Sequence, residues 1–403
     1  MTHGPDYTDD KDPMRRITDE LAPPVDEGED MRLSTVSTES QSYSSLVWQR
    51  FRRSIPGMLG LTMVVMLLVI ALFGQFFAPM NPKEPDIAFA PPAKFSWYVP
   101  EIENPPEGRV EPGWRLMPVV YPIVESEEYD PITFQPLMAP DYENPRRIVL
   151  FAKGWEYQML GMTWERHFIG TADGSPLHFL GTDKLGRDIL SRGIVGSQIS
   201  LAIALSSITL ITIIGTLVGI TSGYIGGRFD LWFQRFVEII LAFPQLPFYL
   251  ALTTLIPVTA PSTLFISFVV LVIVGLGWAQ LSREVRGKTM ALRQVDYVRA
   301  AMAVGASDRR IITRHILPNV TSHVIVAVTL GIPTIVLLES FLGFLGFAVK
   351  PPLISWGLML QDAGTFSVIG SYPWILSPVG FVLVTVFAFN ALGDGLRDAI
   401  DPY

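Results

Sequence analysis

Long apolar segments alternate with short polar ones along most of this chain. A helix needs about 20 apolar residues to cross the hydrocarbon core of a bilayer. Because the first apolar segment starts more than 50 residues into the chain and exceeds a signal-peptide core in length, we interpret it as a retained anchor and not a cleaved signal. The pattern predicts six transmembrane helices, at about Met58–Phe77, Ile199–Ile220, Phe236–Ile256, Thr263–Leu281, Val324–Phe344 and Ile375–Leu392.

Basic residues next to these segments fall on one side of the predicted membrane. Three arginines between residues 50 and 53 precede the first span, two more lie between the second and third spans, and eight Lys/Arg lie within 283–314. The short loops on the opposite side carry only Lys350. Since Lys and Arg concentrate in cytoplasmic loops, the sequence predicts a multi-pass membrane protein with both termini in the cytoplasm.

Composition agrees with a membrane protein and shows where the charge lies. Hydrophobic residues make up 49% of the chain, charged residues only 17%, and the mean hydropathy is +0.36. There is no cysteine, which excludes disulfides and thiolate metal sites. The net charge is −8, and residues 1–40 hold −7 of it, with 11 Asp/Glu against four Lys/Arg. We predict a disordered acidic cytoplasmic tail over 1–45, because its few large apolar side chains cannot offset the entropy of ordering.

The segment between the first two spans is unusually long. Residues 46–77 form the first span with its basic flank, residues 78–192 an extracytoplasmic insertion, and residues 193–403 a core of five spans. Proline pairs and scattered aromatic and acidic residues predict a loop-rich insertion, with one short strand at Ile148–Phe151. Two interpretations remain open: the insertion packs over the membrane part, or it is a docking or gating element for an extracytoplasmic partner.

Motifs for catalysis or nucleotide binding are incomplete. Gly287-Lys288-Thr289 resembles the end of a phosphate-binding loop, but Ser282 stands where that motif needs glycine. The five histidines are dispersed, and no two have the i, i+4 spacing of a helical metal site. The sequence therefore indicates no enzyme activity, cofactor or metal site on this chain, and no binding of nucleic acid.

A few polar residues and prolines lie inside the predicted spans. Glu339 lies deep in the fifth span, where an ionisable side chain is energetically costly in contact with lipid. We therefore predict that it either lines the translocation path or bonds to a neighbouring helix. Glu238 can reach the interface or pair with Arg235. Pro244 and Pro247 predict a bend in the third helix.

A basic segment, Tyr297–Asn319, lies between the fourth and fifth spans. Helix formers begin it, Gly305 interrupts them, Ser307 or Asp308 can cap a second helix, and Pro318 forbids an ordinary helix interior before the fifth span. The pattern predicts a helix, a break and a short helix. Small side chains beside the break and arginines after it suggest a surface on which another protein docks.

This segment resembles the EAA loop of importer-type ABC transporter permeases. Its spacing is kept in full, at Arg299-Ala300-Ala301, Gly305, His315 and Leu317-Pro318. Two identities differ, Arg299 for an acidic residue and His315 for isoleucine, and both are usual in the peptide-transporter branch. Further stretches resemble the C-type permease subunit of dipeptide and oligopeptide importers: Leu180–Arg192, Gly226–Asp230, Phe341–Gly346, Ser355–Met359 and Gly393–Pro402.

The resemblance implies an all-α fold of six transmembrane helices, the type I importer permease fold, in a bacterial inner membrane. It implies a heterodimer with a B-type permease subunit, two cytoplasmic ATPase subunits that bind ATP and Mg²⁺, an extracytoplasmic peptide-binding protein, and contact with membrane lipid. The coupling loop would span 283–320. The translocation path is assigned to Glu339, Gln245 and Phe341, and ATPase coupling to Arg299, Ala300, Ala301, Gly305, Ala306, Asp308, Arg309 and Pro318.

Three alternatives remain. Within the importer class, the cargo could be a nickel chelate or another small solute. An ion-coupled secondary transporter would show repeated halves and buried charges, and the sequence shows no such repeat. A membrane-embedded enzyme would need a convergent nucleophile or metal site, which the sequence does not show.

Overall fold

The structure is a computed structural model and describes residues 43–102, 106, 109–129, 136–159, 161–257, 260–347 and 349–400. The chain divides into two compact units, Met1–Leu46 and Val47–Tyr403. Most of the predicted acidic tail, residues 1–42, lies outside the described residues. The larger unit contains a bundle of long helices and a group of β-strands.

Thirteen α-helices occur within the described ranges. They are α1 (Tyr43–Arg53), α2 (Ile55–Leu72), α3 (Gly74–Phe77), α4 (Ile189–Ile225), α5 (Gly227–Ala242), α6 (Gln245–Thr253), α7 (Ser262–Arg293), α8 (Asp296–Ala303), α9 (Asp308–Ile311), α10 (Leu317–Phe344), α11 (Trp356–Gln361), α12 (Phe366–Ser371) and α13 (Ser377–Ile400). Short 3₁₀ turns, Asp362–Gly364 and Pro373–Leu376, flank α12.

The long apolar helices correspond to the six predicted spans. Within the described residues, five helices are long and apolar enough to cross a membrane, and the bent pair α5 and α6 can make a sixth. Several exceed the predicted bounds, since α4 has 37 residues and α7 has 32. At 1.5 Å per residue both are longer than a hydrocarbon core is thick, so their ends project from it.

The third predicted span is broken. Helices α5 and α6 meet at an angle of 81°. Pro244 is the N-cap of α6, and Pro247 lies in the first turn of that helix. Backbone N–H groups in the first turn have no partner within the helix, so a proline there costs no helical hydrogen bond. The expected bend is therefore present, and it is located at Pro244.

The fifth span begins differently from the expectation. Helix α9 continues through a π-helical turn, Ile312–Ile316, directly into α10, so that Asp308–Phe344 is one helix of 37 residues. The widened turn accommodates Pro318 at the start of α10, and the Leu317 N–H donates to the Ile312 carbonyl across it. Pro318 is therefore not in an ordinary helix interior, as expected, but the short helix expected after the glycine break is continuous with the fifth span.

The insertion is rich in β-structure, so the expectation of a loop-rich segment was wrong. It contains β1 (Lys94–Val99), β2 (Gly113–Tyr121), β3 (Ile123–Tyr129), β4 (Pro136–Pro140), β5 (Arg146–Met159) and β6 (Met162–Thr171). The predicted strand Ile148–Phe151 is only the first part of β5. Polar residues, among them Lys153, Glu156 and Arg166, interrupt the apolar positions of β5 and β6, which hid the strands from a search for apolar runs.

Four of the strands form an antiparallel sheet in the order β1-β2-β5-β6, and β3 pairs with β4. Two positions of β2 pair with β5, and β5 and β6 form a hairpin that ends at Met159 opposite Met162. The hairpin rests on α3, because His167 Nδ1 lies 3.0 Å from the Gln75 carbonyl oxygen and the Phe77 and Phe168 rings are 5.5 Å apart. The sheet is therefore fixed to the end of the first span.

Small residues set the closest helix contacts in the bundle. Helix α4 packs along α7, where a Cβ on Gly219 would collide with Ser282 and Val285. Helices α2 and α13 meet at Gly57 and Gly395, where a Cβ on Gly395 would collide with the Gly57 backbone. The first span is thus held by the last one.

Candidate functional site

The predicted docking segment, here Asp296–Ile316, consists of α8, a glycine break, α9 and the π turn. The break is a Schellman motif at the end of α8: Ala306 N–H donates to the Ala301 carbonyl at 3.1 Å, and Gly305 N–H to that of Met302 at 3.0 Å. Gly305 has φ +82°, a conformation that favours glycine. No atom lies within 4 Å of where its Cβ would be, so the backbone conformation, not crowding within this chain, requires glycine here.

One face of the segment is anchored and the other is exposed. Val298, Ile311 and Ile316 are buried against the bundle. Val304, at the break, is 84% exposed, which is high for an aliphatic side chain on an ordered turn. The segment therefore presents its small residues outward from a fixed base, as a docking surface requires.

Two side-chain contacts join the segment to the long helices. The Tyr224 hydroxyl, at the end of α4, donates to Asp308 Oδ1 at 2.6 Å. The Asn319 side chain donates to the Tyr297 hydroxyl at 3.2 Å and to the His315 carbonyl at 2.6 Å. These contacts tie α8 and α9 to α4 and α10.

Sequence reasoning missed the roles of Tyr297, Asn319 and Tyr224. His315, which replaces the isoleucine of the general pattern, has a ring contact in the structure, since its ring centroid lies 6.0 Å from that of Tyr297. The sequence did offer a hint of this pair, because an aromatic residue, Tyr297, occurs in the same segment as a histidine that replaces the isoleucine of the general pattern.

The predicted coupling residues lie together, apart from Pro318, which starts α10. Arg299 and Ala300 are exposed on α8, and Ala301 and Ala306 are half-buried at the Schellman motif. Arg299, Arg309, Arg310 and Arg314 form no ion pair within the described ranges, and all four are exposed. This surface therefore offers unpaired positive charge to a partner.

A partly buried ion pair braces the same end of the bundle. Arg286 on α7 donates through Nε and Nη2 to the two carboxylate oxygens of Asp230 on α5, each at 2.5 Å. The Ser222 hydroxyl on α4 donates to Asp230 Oδ1 at 2.6 Å. Three helices are thereby joined beside the docking segment. The Gly226–Asp230 stretch signalled this site in the sequence, but not its pairing with Arg286.

The three residues assigned to the path lie in different surroundings. Glu339 is 2% exposed, and its Oε2 accepts a hydrogen bond from the Ser200 hydroxyl on α4 at 3.0 Å. Ser200 Oγ also accepts from the Trp356 backbone N–H at 3.0 Å. These are the contacts of a helix-bonding residue, the second of the two roles considered for Glu339.

Gln245 and Phe341 are exposed on this chain. Gln245 begins α6 at the 81° bend. Phe341, 40% exposed, lines an apolar groove of about 500 Å³ between α10, α12 and α13. Glu238, the other intramembrane carboxylate, lies 2.8 Å from Arg235 Nη1 in an exposed ion pair.

At the opposite end of the bundle, a buried histidine closes a latch between the start of the insertion and α4. His178 Nδ1 lies 3.0 Å from Asp188 Oδ1, and Nε2 lies 3.0 Å from Asp86 Oδ2. Burial disfavours the charged imidazole, but hydrogen bonds and charge attraction from Asp188 and Asp86 outweigh it and raise the pKa of His178 to about 9. The latch is therefore a charged cluster at neutral pH. Within the described ranges, no group of three or more His, Asp or Glu has the arrangement of a metal site.

Residues 215–403 match the family described as "Binding-protein-dependent transport system inner membrane component", and residues 42–92 match the "N-terminal TM domain of oligopeptide transport permease C". The oligopeptide transport system permease protein OppC of Haemophilus influenzae is 41% identical over 226 residues, which are 56% of this chain and 70% of that protein. The chain belongs to this transport permease family.

Two relatives from Bacillus subtilis give the same result. Its oligopeptide permease OppC is 40% identical over 56% of this chain and 72% of its own length, and its dipeptide permease DppC is 36% identical over 56% and 68%. A crystal structure of an amino acid ABC transporter with histidines covers 50% of this chain and 91% of its own at 15% identity, but its TM-score of 0.39 is too low to support an assignment.

The family matches do not extend over the β-structure of this permease. Neither match includes residues 93–214, which contain strands β1 to β6 and most of α4. The docking segment, in contrast, lies entirely within the longer match. Function inferred from the family therefore applies to the helical bundle, and the sheet must be considered from its own contacts.

Proposed function

We propose that this permease forms half of the translocation path for dipeptides or oligopeptides in an ATP-driven importer. The names of its relatives support the cargo. The observation that carries the mechanism is the docking segment, an exposed surface fixed to three membrane helices: it follows α7, bonds to α4 through Tyr224 and Asp308, and continues into α10.

In this mechanism, ATP and Mg²⁺ bind to two separate ATPase subunits, and this chain hydrolyses nothing. The ATPases dock on the exposed face of the segment between Arg299 and Arg309, where unpaired arginines and small side chains offer charge and close approach. When the ATPase pair closes, it displaces the segment, and the attached helices change the path between inward-open and outward-open states. Nucleotide shifts this equilibrium only as far as it binds the two states with different affinity.

The proposed orientation places the docking segment in the cytoplasm and the sheet outside the cell membrane. The Lys/Arg bias of the short loops supports it. A second, B-type permease would complete the path as a heterodimer, with Gln245 and Phe341 of this chain exposed to it. An extracytoplasmic binding protein would deliver the peptide at the end that carries the sheet.

Single cysteines test both orientation and docking, because the natural chain has none. Val304→Cys lies at the glycine break, and Thr163→Cys lies on an exposed position of β6. We expect an impermeant maleimide to label Thr163→Cys in intact cells and Val304→Cys only after permeabilisation. A bismaleimide should link Val304→Cys, but not Thr163→Cys, to a co-expressed ATPase subunit. Labelling of both sites in intact cells would contradict the proposed orientation.

Cargo is tested by uptake in cells that lack their own peptide importers. Cells with the complete transporter should accumulate a labelled tripeptide, and a variant of the ATPase that cannot hydrolyse ATP should abolish uptake. Accumulation of a nickel chelate without peptide uptake would favour the alternative cargo.

A further inference from the structure

A cleft lies between the sheet and the bundle, close to the end of the first span. It has a volume of about 400 Å³, within the range of small-ligand sites. The end of α3, the start of α4, strand β5 and the loop 352–354 form its walls. We refer to it as the Trp155 cleft, after the β5 side chain that it shares with a neighbouring cleft of about 370 Å³.

The floor of the Trp155 cleft is apolar and its wall carries hydrogen-bonding groups. Ile199 and Leu353 lie at the floor, both partly buried. The side-chain amides of Gln75 and Gln198 line the wall, and neither has a hydrogen-bond partner among the described residues. Both amides are only partly buried, so each can exchange a hydrogen bond to water for one to the backbone groups of a ligand.

The rim carries one charge of each sign. Lys83 and Glu156 are both exposed at the cleft, and neither forms an ion pair with another described residue. Lys153, three residues before Glu156, differs in this respect, because its Nζ lies 2.8 Å from Glu165 Oε2. The unpaired cation and anion could each bind an opposite charge on a ligand.

We propose that the Trp155 cleft binds the peptide cargo before it enters the path. A short peptide has a carboxylate for Lys83, an ammonium group for Glu156, backbone groups for the Gln75 and Gln198 amides, and side chains for the apolar floor. The insertion thus supplies one wall of a substrate site, and the bundle supplies the other. This inference rests on the proposed peptide transport function and adds a substrate site to it.

Photo-crosslinking in the complete transporter tests the site directly. p-Benzoylphenylalanine would replace Ile199 in one variant and Leu353 in another, so that a folding defect in one leaves a second probe. Leu116, which is 96% exposed on β2, serves as the control position. A radiolabelled tripeptide should give a saturable product at Ile199 or Leu353, displaced by unlabelled peptide, and none at Leu116.

Charge variants then test the recognition chemistry. Lys83→Gln and Glu156→Gln should each lower the crosslinking yield about tenfold, since each removes a hydrogen bond between charged groups. Lys153→Gln, in the neighbouring cleft, should leave the yield unchanged. An equal loss with Lys153→Gln, or no loss with the other two, would overturn the assignment.

Uptake separates this inference from the proposed function. If the wild-type transporter takes up the tripeptide but neither probe position gives a saturable product, the permease transports peptide without this site and the inference is wrong. If the wild-type transporter takes up no peptide, the proposed function fails first.

Discussion

Replacement of Gly305 tests whether the docking segment depends on its backbone conformation. At φ +82° an L-residue is strained, and the left-handed region costs roughly 1–2 kcal/mol for a residue with a Cβ. Since no atom lies within 4 Å of the Cβ position, Gly305→Val adds this backbone cost without a clash. A cost of about 1.4 kcal/mol corresponds to a tenfold loss in the population of the capped conformation relative to its alternatives.

Gly305→Asn is the matched control, because asparagine tolerates the left-handed region far better than a β-branched residue. We expect Gly305→Val to lower the peptide transported per ATP hydrolysed in proteoliposomes several-fold, with Gly305→Asn closer to wild type. Membrane insertion, checked by the yield of folded protein in detergent, should be the same for both. Wild-type coupling in Gly305→Val would refute the reasoning. Equal damage by both would indicate that the partner approaches the backbone too closely for any side chain.

Two further predictions concern the charged clusters at the two ends of the bundle. Because the pKa of His178 rises from about 6.5 in the unfolded chain to about 9, its contribution to stability is complete below pH 6.5 and is lost as pH rises through 9. The shift in pKa corresponds to about 3 kcal/mol of stability, so thermal unfolding in detergent should occur at a lower temperature at pH 9.5 than at pH 6.5. The variant His178→Gln should lose most of that difference in melting temperature. An undiminished difference in the variant would contradict the latch. Arg286→Met should destabilise the permease by about 2 kcal/mol, as measured by the same melts, because the largely buried Asp230 carboxylate loses its charged partner and keeps only the hydrogen bond from Ser222. Adding Asp230→Leu should recover much of the loss, and no recovery would show that the ion pair is not the cause.

The helical bundle could be predicted from the sequence because each span is an independent signal. Twenty apolar residues identify a membrane helix without knowledge of its neighbours. Pro244 indicated the bend in the third span because a proline acts on its own turn. The helix before Gly305 and the break at that residue could be predicted in the same way from local preferences.

The features that were missed depend on contacts between distant residues. Strands β2 and β5 pair across more than 20 residues, and most of the exposed side of β5 is polar, so no apolar run marked them. The partners of Asp308 and Glu339, Tyr224 and Ser200, lie on α4, more than 80 residues away in the chain. The π turn before Pro318 was missed because the proline rule describes an α-helix, and the chain adopts a wider turn instead.

The contact between Gly57 and Gly395 explains how so long an insertion fits between the first two spans. Helix α2 is held in place by α13, and the entropy cost of lengthening a connection grows only slowly with its length. The chain between α3 and α4 is attached to the bundle at the His178 latch and at the hairpin contact on α3, but the packing of α2 against α13 does not involve it. This junction can accept an added module without rearrangement of the spans, which makes it a permissive site at which a transporter can acquire or lose an external domain.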